Sequence, residues 1–182
     1  VTASVCSPSR AGLLTGRYQQ RFGHETNLRG KDVGLPLSET TIADRLGKLG
    51  YTSCAIGKWH LGGNPEQHPM SRGFQEFHGF LLGSRTYFSK PNKEKVTQQS
   101  LMHDRAIVPE DDNRYLTDWM AEEANTFIEK HTDDPFFLYV AFNAVHTPMQ
   151  AHLLQQKYLP KVPKGGWKST LLLVAAGLVA AN

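Results

Sequence analysis

The sequence has no apolar stretch of about 20 residues, the length a membrane-crossing helix needs. Its longest apolar run, Leu171 to Ala181, is eleven residues. That length excludes a simple span and allows a short buried helix or one lying on a lipid surface. Charge of one sign is also scarce. Twenty Lys and Arg against 17 Asp and Glu leave a net +3 over 182 residues. So slight an excess gives no footprint for nucleic acid, and it permits an anionic ligand without requiring one. Only two cysteines occur, Cys6 and Cys54, so a disulfide framework is ruled out. The chain opens on Val1, with no initiator Met, basic segment or apolar leader in its first residues. What is present is an ordinary globular composition: 40% hydrophobic and 20% charged residues fill one core.

The most informative stretch is Cys6-Ser7-Pro8-Ser9-Arg10-Ala11-Gly12-Leu13-Leu14-Thr15-Gly16-Arg17. Pro8 suits a first helical turn, Ser7 or Ser9 can cap it, and Gly16 stops it. Ala11, Leu13 and Leu14 carry the helix into a core. Arg10 follows Cys6 by one helical turn, so its guanidinium returns to the same end. Open amides, the helix dipole and that arginine would suit a tetrahedral anion. Two readings of Cys6 follow from the residues themselves. It is a small buried hydrophobe or a thiolate nucleophile with a depressed pKa. Cysteine-dependent phosphatases place their arginine six positions after the cysteine, and here that position is Gly12.

Two further stretches bear on that choice. Residues 37–50 read as a helix, with Ser38 as cap, Glu39 in the first turn and Ile42, Leu46 and Leu49 as the apolar face. Gly50 stops it, and Tyr51 to Ile56 then reads as a short buried strand, an α/β pattern. That strand runs into Gly57-Lys58-Trp59-His60-Leu61-Gly62. Strand alternation puts Lys58 and His60 on one side, toward the ligand crevice of an open sheet, and Trp59 on the other. Residues 113–131 read as an amphipathic helix, with Leu116, Trp119, Met120, Ala124, Phe127 and Ile128 inward. Phe136 to Phe142 is continuously apolar, as in a central parallel strand covered on both faces. Asn143-Ala144-Val145-His146-Thr147-Pro148 follows it, so His146 again points at the crevice.

The first of these stretches resembles the active-site signature of the type I, formylglycine-dependent sulfatases. Gly57-Lys58-Trp59-His60, the segment Gly73-Phe74 to Phe77 and Gly79, and His146 with Pro148 are similar to later elements of that family. The resemblance covers roughly residues 1–164 and implies an alkaline-phosphatase-like α/β/α sandwich with a mostly parallel sheet. It implies oxidation of Cys6 to formylglycine by a formylglycine-generating enzyme, the hydrated aldehyde being the nucleophile. With Cys6 so committed, no disulfide to Cys54 is expected. Arg10 and Lys58 would hold the hydrate and the developing charge, while His60 and His146 would handle protons and contact sulfate. A calcium ion would polarise the sulfate ester, and the substrate would be a sulfated small molecule or sulfated glycan.

The family places a strand ending in two metal-binding aspartates before the cysteine, and an Asp-Asn or Asp-His metal motif farther on. The sequence shows neither, so it reads as the N-terminal part of a catalytic domain, with modified Cys6 the one recognisable calcium ligand. The expected activity of the chain alone is therefore nil or nearly so. Residues 165–182 depart in composition and read as an apolar tail from a truncation or a frameshift. A phosphonate or phosphate-ester hydrolase of the same superfamily, or an inactive fragment that binds sulfated glycans, are the alternatives. The family is mostly periplasmic, secreted or lysosomal. The remaining residues carry blander expectations. His24 reads as a surface or supporting residue and His103 as surface. Residues 72–80 read as a core-packing loop, and Lys90, Lys93 and Lys95 as a solvated cluster.

Overall fold

The computed structural model describes residues 3–27, 34–88, 99–109, 114–148 and 150. The lysine cluster at 90–95 and the tail at 165–182 lie outside them. Five strands form one mixed sheet in the order β4-β3-β2-β1-β5. They are β1 (Thr52–Lys58), β2 (Glu76–Phe80), β3 (Met102–His103), β4 (Ala106–Ile107) and β5 (Phe136–Ala141). β1 runs parallel to both β2 and β5, while the short β3 and β4 add an antiparallel hairpin beside β2. Helices α1 (Cys6–Thr15) and α2 (Ile42–Gly47) cover one face, and α3 (Leu116–Lys130) covers the other. This is the three-layer α/β/α arrangement, with a parallel centre and an antiparallel edge.

Each face has its own core. Ala11 and Leu14 of α1 and Ala43 of α2 pack with Ala55, Trp59, Phe74 and Phe77. Cys54, Ile56 and Phe80 pack under Leu116, Trp119, Met120 and Phe127 of α3. Trp59 is 1% exposed, stands edge-on to Phe74 at 5.9 Å, and donates its indole N–H to the Gln67 carbonyl. A ring of that size so enclosed contributes about 3–5 kcal/mol against alanine. β1 reaches its end through Gly57 at φ +98°, where a Cβ would lie 2.3 Å from the Ala141 carbonyl oxygen. Only glycine admits both that dihedral and that approach of β5.

Several sequence expectations are corrected. α2 begins at Thr41, not Ser38. Thr41 Oγ1 accepts from the Asp44 amide and the Asp44 carboxylate accepts from the Thr41 amide, a complete capping box. Ile42 and Leu49 are exposed and Ala43 is the buried residue, because the helix is only six residues long and turns its small side chain inward. Residues 76–80 form β2 rather than a loop, since Phe77 alternates with Glu76 and His78 across the pleat. β5 is an edge strand among the described residues, and all of it but Ala141 is half-buried. Leu13 is 63% exposed and leaves Ala11 and Leu14 to anchor α1. Both cysteines are free. No helix among the described residues is long and apolar enough to cross a membrane.

Candidate functional site at the mouth of helix α1

Cys6 is the first residue of α1, behind the extended N-cap Val5, and Gly16 closes the helix at φ +67°. No side chain caps the start. The two serines are engaged elsewhere: Ser7 Oγ donates to the His60 carbonyl at 2.7 Å, and Ser9 Oγ donates to that of Ala3 at 2.9 Å. The Ser7 amide donates to Asn27 Oδ1 at 3.1 Å, Pro8 has no N–H, and the Ser9 amide bonds Val5. The helix mouth therefore offers fewer open amides than the sequence suggests. Recognition of an anion there falls to side-chain cations.

Two such cations converge on Cys6. Arg10 extends back along α1 to the end of β1, where its Nη1 donates to the Lys58 carbonyl at 2.6 Å and to the Tyr139 hydroxyl at 3.0 Å. These bonds from two strands fix the guanidinium plane and leave its other N–H groups for a ligand. Lys58, 3% exposed, lines the same cleft as Cys6. Burial lowers its pKa, and nearby Arg10 pushes the same way, against the pull of Cys6. A cleft of about 510 Å³ opens here, lined among others by Cys6, Arg10, Lys58, Tyr139, Asn143 and His146. No carboxylate lines it among the described residues.

His146 reaches the cleft from the loop after β5, which Tyr87 clamps. The Tyr87 hydroxyl donates to the His146 carbonyl and accepts from its amide, both at 3.1 Å. His60 stands beside the cleft rather than on it. Its backbone is left-handed, φ +58°, which breaks the alternation expected after Lys58. Its ring packs on Gly83, where an added Cβ would meet it at 2.5 Å. Burial foremost, then Lys58, Arg10, His146 and His24, lowers its pKa to about 4, so it is neutral at pH 7. His60 Nδ1 is buried without a hydrogen bond among the described residues. His24 is not a surface residue: it is 4% exposed, and its Nε2 meets Ser7 Oγ at 2.7 Å. Burial lowers the His24 pKa also.

The structure thus brings Cys6, Arg10, Lys58 and His146 onto one cleft, with His60 adjoining it. Sequence reasoning passed over Tyr139 and Asn143. A tyrosine inside an otherwise apolar strand signals a hydroxyl in search of a partner, and Tyr139 finds Arg10. Asn143 is 2% exposed and donates to the Arg85 carbonyl at 3.0 Å, while its Oδ1 has no partner among the described residues. Calcium asks for several oxygen ligands, carboxylates above all. The residues that line the cleft supply two cations and no carboxylate, so they do not form a calcium site.

Comparison with known proteins agrees with this geometry. The family model described as sulfatase matches residues 1–166. Mouse arylsulfatase J is 36% identical over 154 residues, 81% of this chain and 26% of that protein. Human N-acetylgalactosamine-6-sulfatase is 35% identical over 164 residues, 81% of this chain and 31% of that protein. The crystal structure of Ps i-CgsB in complex with k-i-k-neocarrahexaose superposes with a TM-score of 0.85 at 35% identity, over 96% of this chain and 42% of that one. The chain spans roughly a third or less of the two curated relatives. A match over nearly the whole length, with the cysteine, arginine and lysine motifs converging on one cleft, places the chain in the sulfatase family.

Proposed function

We propose that this chain carries the nucleophile-bearing part of a sulfuric ester hydrolase, with Cys6 as the residue converted to formylglycine. The observation that carries the reading is a cysteine at a helix mouth, sharing with Lys58 and a doubly anchored Arg10 a cleft whose described lining holds no carboxylate. Such a cleft suits the oxygens of a sulfate group, which accept hydrogen bonds and repel acids. Formylglycine at position 6 would supply a hydrated aldehyde whose hydroxyl attacks sulfur.

The chain's own residues account for the surrounding work. Lys58 and Arg10 place positive charge where the equatorial oxygens gain negative charge, the term that dominates such reactions. Lys58 is buried and Arg10 is anchored by two hydrogen bonds, so little reorganisation is needed as the charge develops. His146, held by Tyr87, reaches the mouth of the cleft, where a leaving alcohol takes its proton. His60, neutral at pH 7, donates or accepts a hydrogen bond at the buried end. Sulfated glycans are the favoured substrate class. One neighbouring structure was solved with its substrate D-glucosamine-2-N,6-O-disulfate, at 25% identity and a TM-score of 0.60. With no carboxylates to hold calcium, the chain alone is expected to bind sulfate esters and to hydrolyse them barely or not at all.

Co-expression with a formylglycine-generating enzyme tests the reading. The intact mass should fall by about 18 Da as the thiol becomes an aldehyde, and position 6 should then couple to a hydrazide probe. Binding of matched aryl sulfate and aryl phosphate to the modified chain should favour the sulfate. An unmodified Cys6, or preference for the phosphate, would overturn the assignment.

A further inference from the structure

Outside the cleft, metal-ligating side chains gather among the described residues on the opposite face of the sheet. His78 on β2 and His103 on β3 are register partners, with ring centroids 4.1 Å apart. Glu123 of α3 reaches down onto both. One oxygen, Glu123 Oε2, lies 3.0 Å from His78 Nδ1 and 3.0 Å from His103 Nε2. The three ligand atoms all fall within 4.8 Å of one another. A tetrahedral zinc ion with bonds near 2.0–2.1 Å sets its ligand atoms about 3.3 Å apart, close to the 3.0 Å from Glu123 Oε2 to each histidine nitrogen.

We propose that His78, His103 and Glu123 form a binding site for a zinc-class divalent cation, tying the β3–β4 hairpin to α3.

Three observations point to a ligand rather than to hydrogen bonding alone. His78 Nδ1 is shut off from solvent and makes no hydrogen bond among the described residues, although Glu123 Oε2 stands 3.0 Å away. A buried polar atom without a hydrogen bond is costly. The other nitrogen of the same ring, His78 Nε2, faces Glu76 Oε2 at 3.6 Å. A carboxylate behind the far nitrogen is the arrangement that orients a ligating imidazole and directs the near nitrogen at the metal. Glu76 is itself anchored by Lys130 at 2.6 Å and His131 at 3.5 Å.

The donor set also selects the ion. Two imidazoles and one carboxylate suit zinc and its neighbours and are poor for calcium or magnesium. Three protein ligands leave a fourth position open, and the His103 side chain, 46% exposed, opens that position to solvent. Cys54 lies close to Glu76 and His78 but stays out of the set. It groups with Glu76 and His78 rather than with His103 and Glu123.

Zinc titration of the Cys6→Ala chain at neutral pH, by calorimetry, is the test, the substitution removing the thiol of the other cleft. One equivalent should bind. Adding His103→Ala or Glu123→Gln should weaken binding at least tenfold, and adding His146→Ala should leave it unchanged. Cobalt in place of zinc should give a visible absorption band typical of tetrahedral coordination, lost in the same two variants. Glu123→Gln keeps the side-chain volume, and His103 is half exposed, so both variants should melt with the parent in chelator. No zinc binding, equal affinity in the variants, or loss on His146→Ala would overturn the proposal.

Discussion

Replacing Tyr139 with phenylalanine removes one oxygen atom, the hydroxyl that anchors Arg10. Its hydroxyl accepts from Arg10 Nη1 at 3.0 Å, and the Lys58 carbonyl takes the same nitrogen at 2.6 Å. Loss of one of two anchors lets the guanidinium swing about the other. A hydrogen bond of this kind is worth about 0.5–1.5 kcal/mol net, so sulfate-ester affinity should fall by about 2–12-fold. The loss should act entirely through Arg10. In an Arg10→Ala background, Tyr139→Phe should change affinity by less than twofold, which makes the pair strongly non-additive. Calorimetric titration of the four proteins with an aryl sulfate closes the cycle. Equal losses with and without Arg10 would refute the reasoning, and so would no loss in the first step.

Three other expectations follow from the described geometry. Gly57→Ala sets a Cβ 2.3 Å from the Ala141 carbonyl at φ +98°; urea unfolding should show a loss of about 2–5 kcal/mol, and anion binding should weaken because Lys58 is the next residue. Thr41→Ala removes the α2 capping box and a 2.8 Å bond to the Arg72 carbonyl, at a cost of about 1–2 kcal/mol in the same assay. The pKa values of His60 and His68 are both lowered to about 4 from an ordinary 6.5, chiefly by burial. Between those values the unfolded chain binds more protons than the folded one. Stability should therefore be full above pH 6.5 and fall progressively toward pH 4, and His68→Asn should flatten the Tm–pH profile over that window.

Much of the site was legible in the residues because its chemistry is concentrated in short motifs. Cys6, Arg10 and Gly16 are spaced by helical turns, and the helix they describe runs from Cys6 to Thr15. α3 follows its apolar periodicity and spans Leu116–Lys130. What the motifs left out depends on long-range contacts. Nothing local marks Asn27 as the acceptor that takes the Ser7 amide, 20 positions away. His60 departs from strand alternation through a left-handed backbone, which a two-residue period cannot foresee. α2 was placed too early because Ser38 is a good cap, yet the reciprocal Thr41–Asp44 pair three residues later is a better one. β2 was read as loop because its aromatics drew attention to packing, although Glu76, Phe77 and His78 already alternate. The partnership of His78, His103 and Glu123 joins three separate elements and has no signature in any one of them.

The central claim is that a tetrahedral anion sits against Cys6, held by Arg10 and Lys58. Alkylation of the unmodified chain by iodoacetamide, followed residue by residue by mass spectrometry, addresses it directly, because Cys6 is half-buried at the cleft while Cys54 is 0% exposed. Cys6 should react and Cys54 should not. Inorganic sulfate should protect Cys6 saturably, and protection should disappear in Arg10→Ala and Lys58→Ala. Undiminished alkylation at saturating sulfate, or protection that survives loss of both cations, would contradict the account.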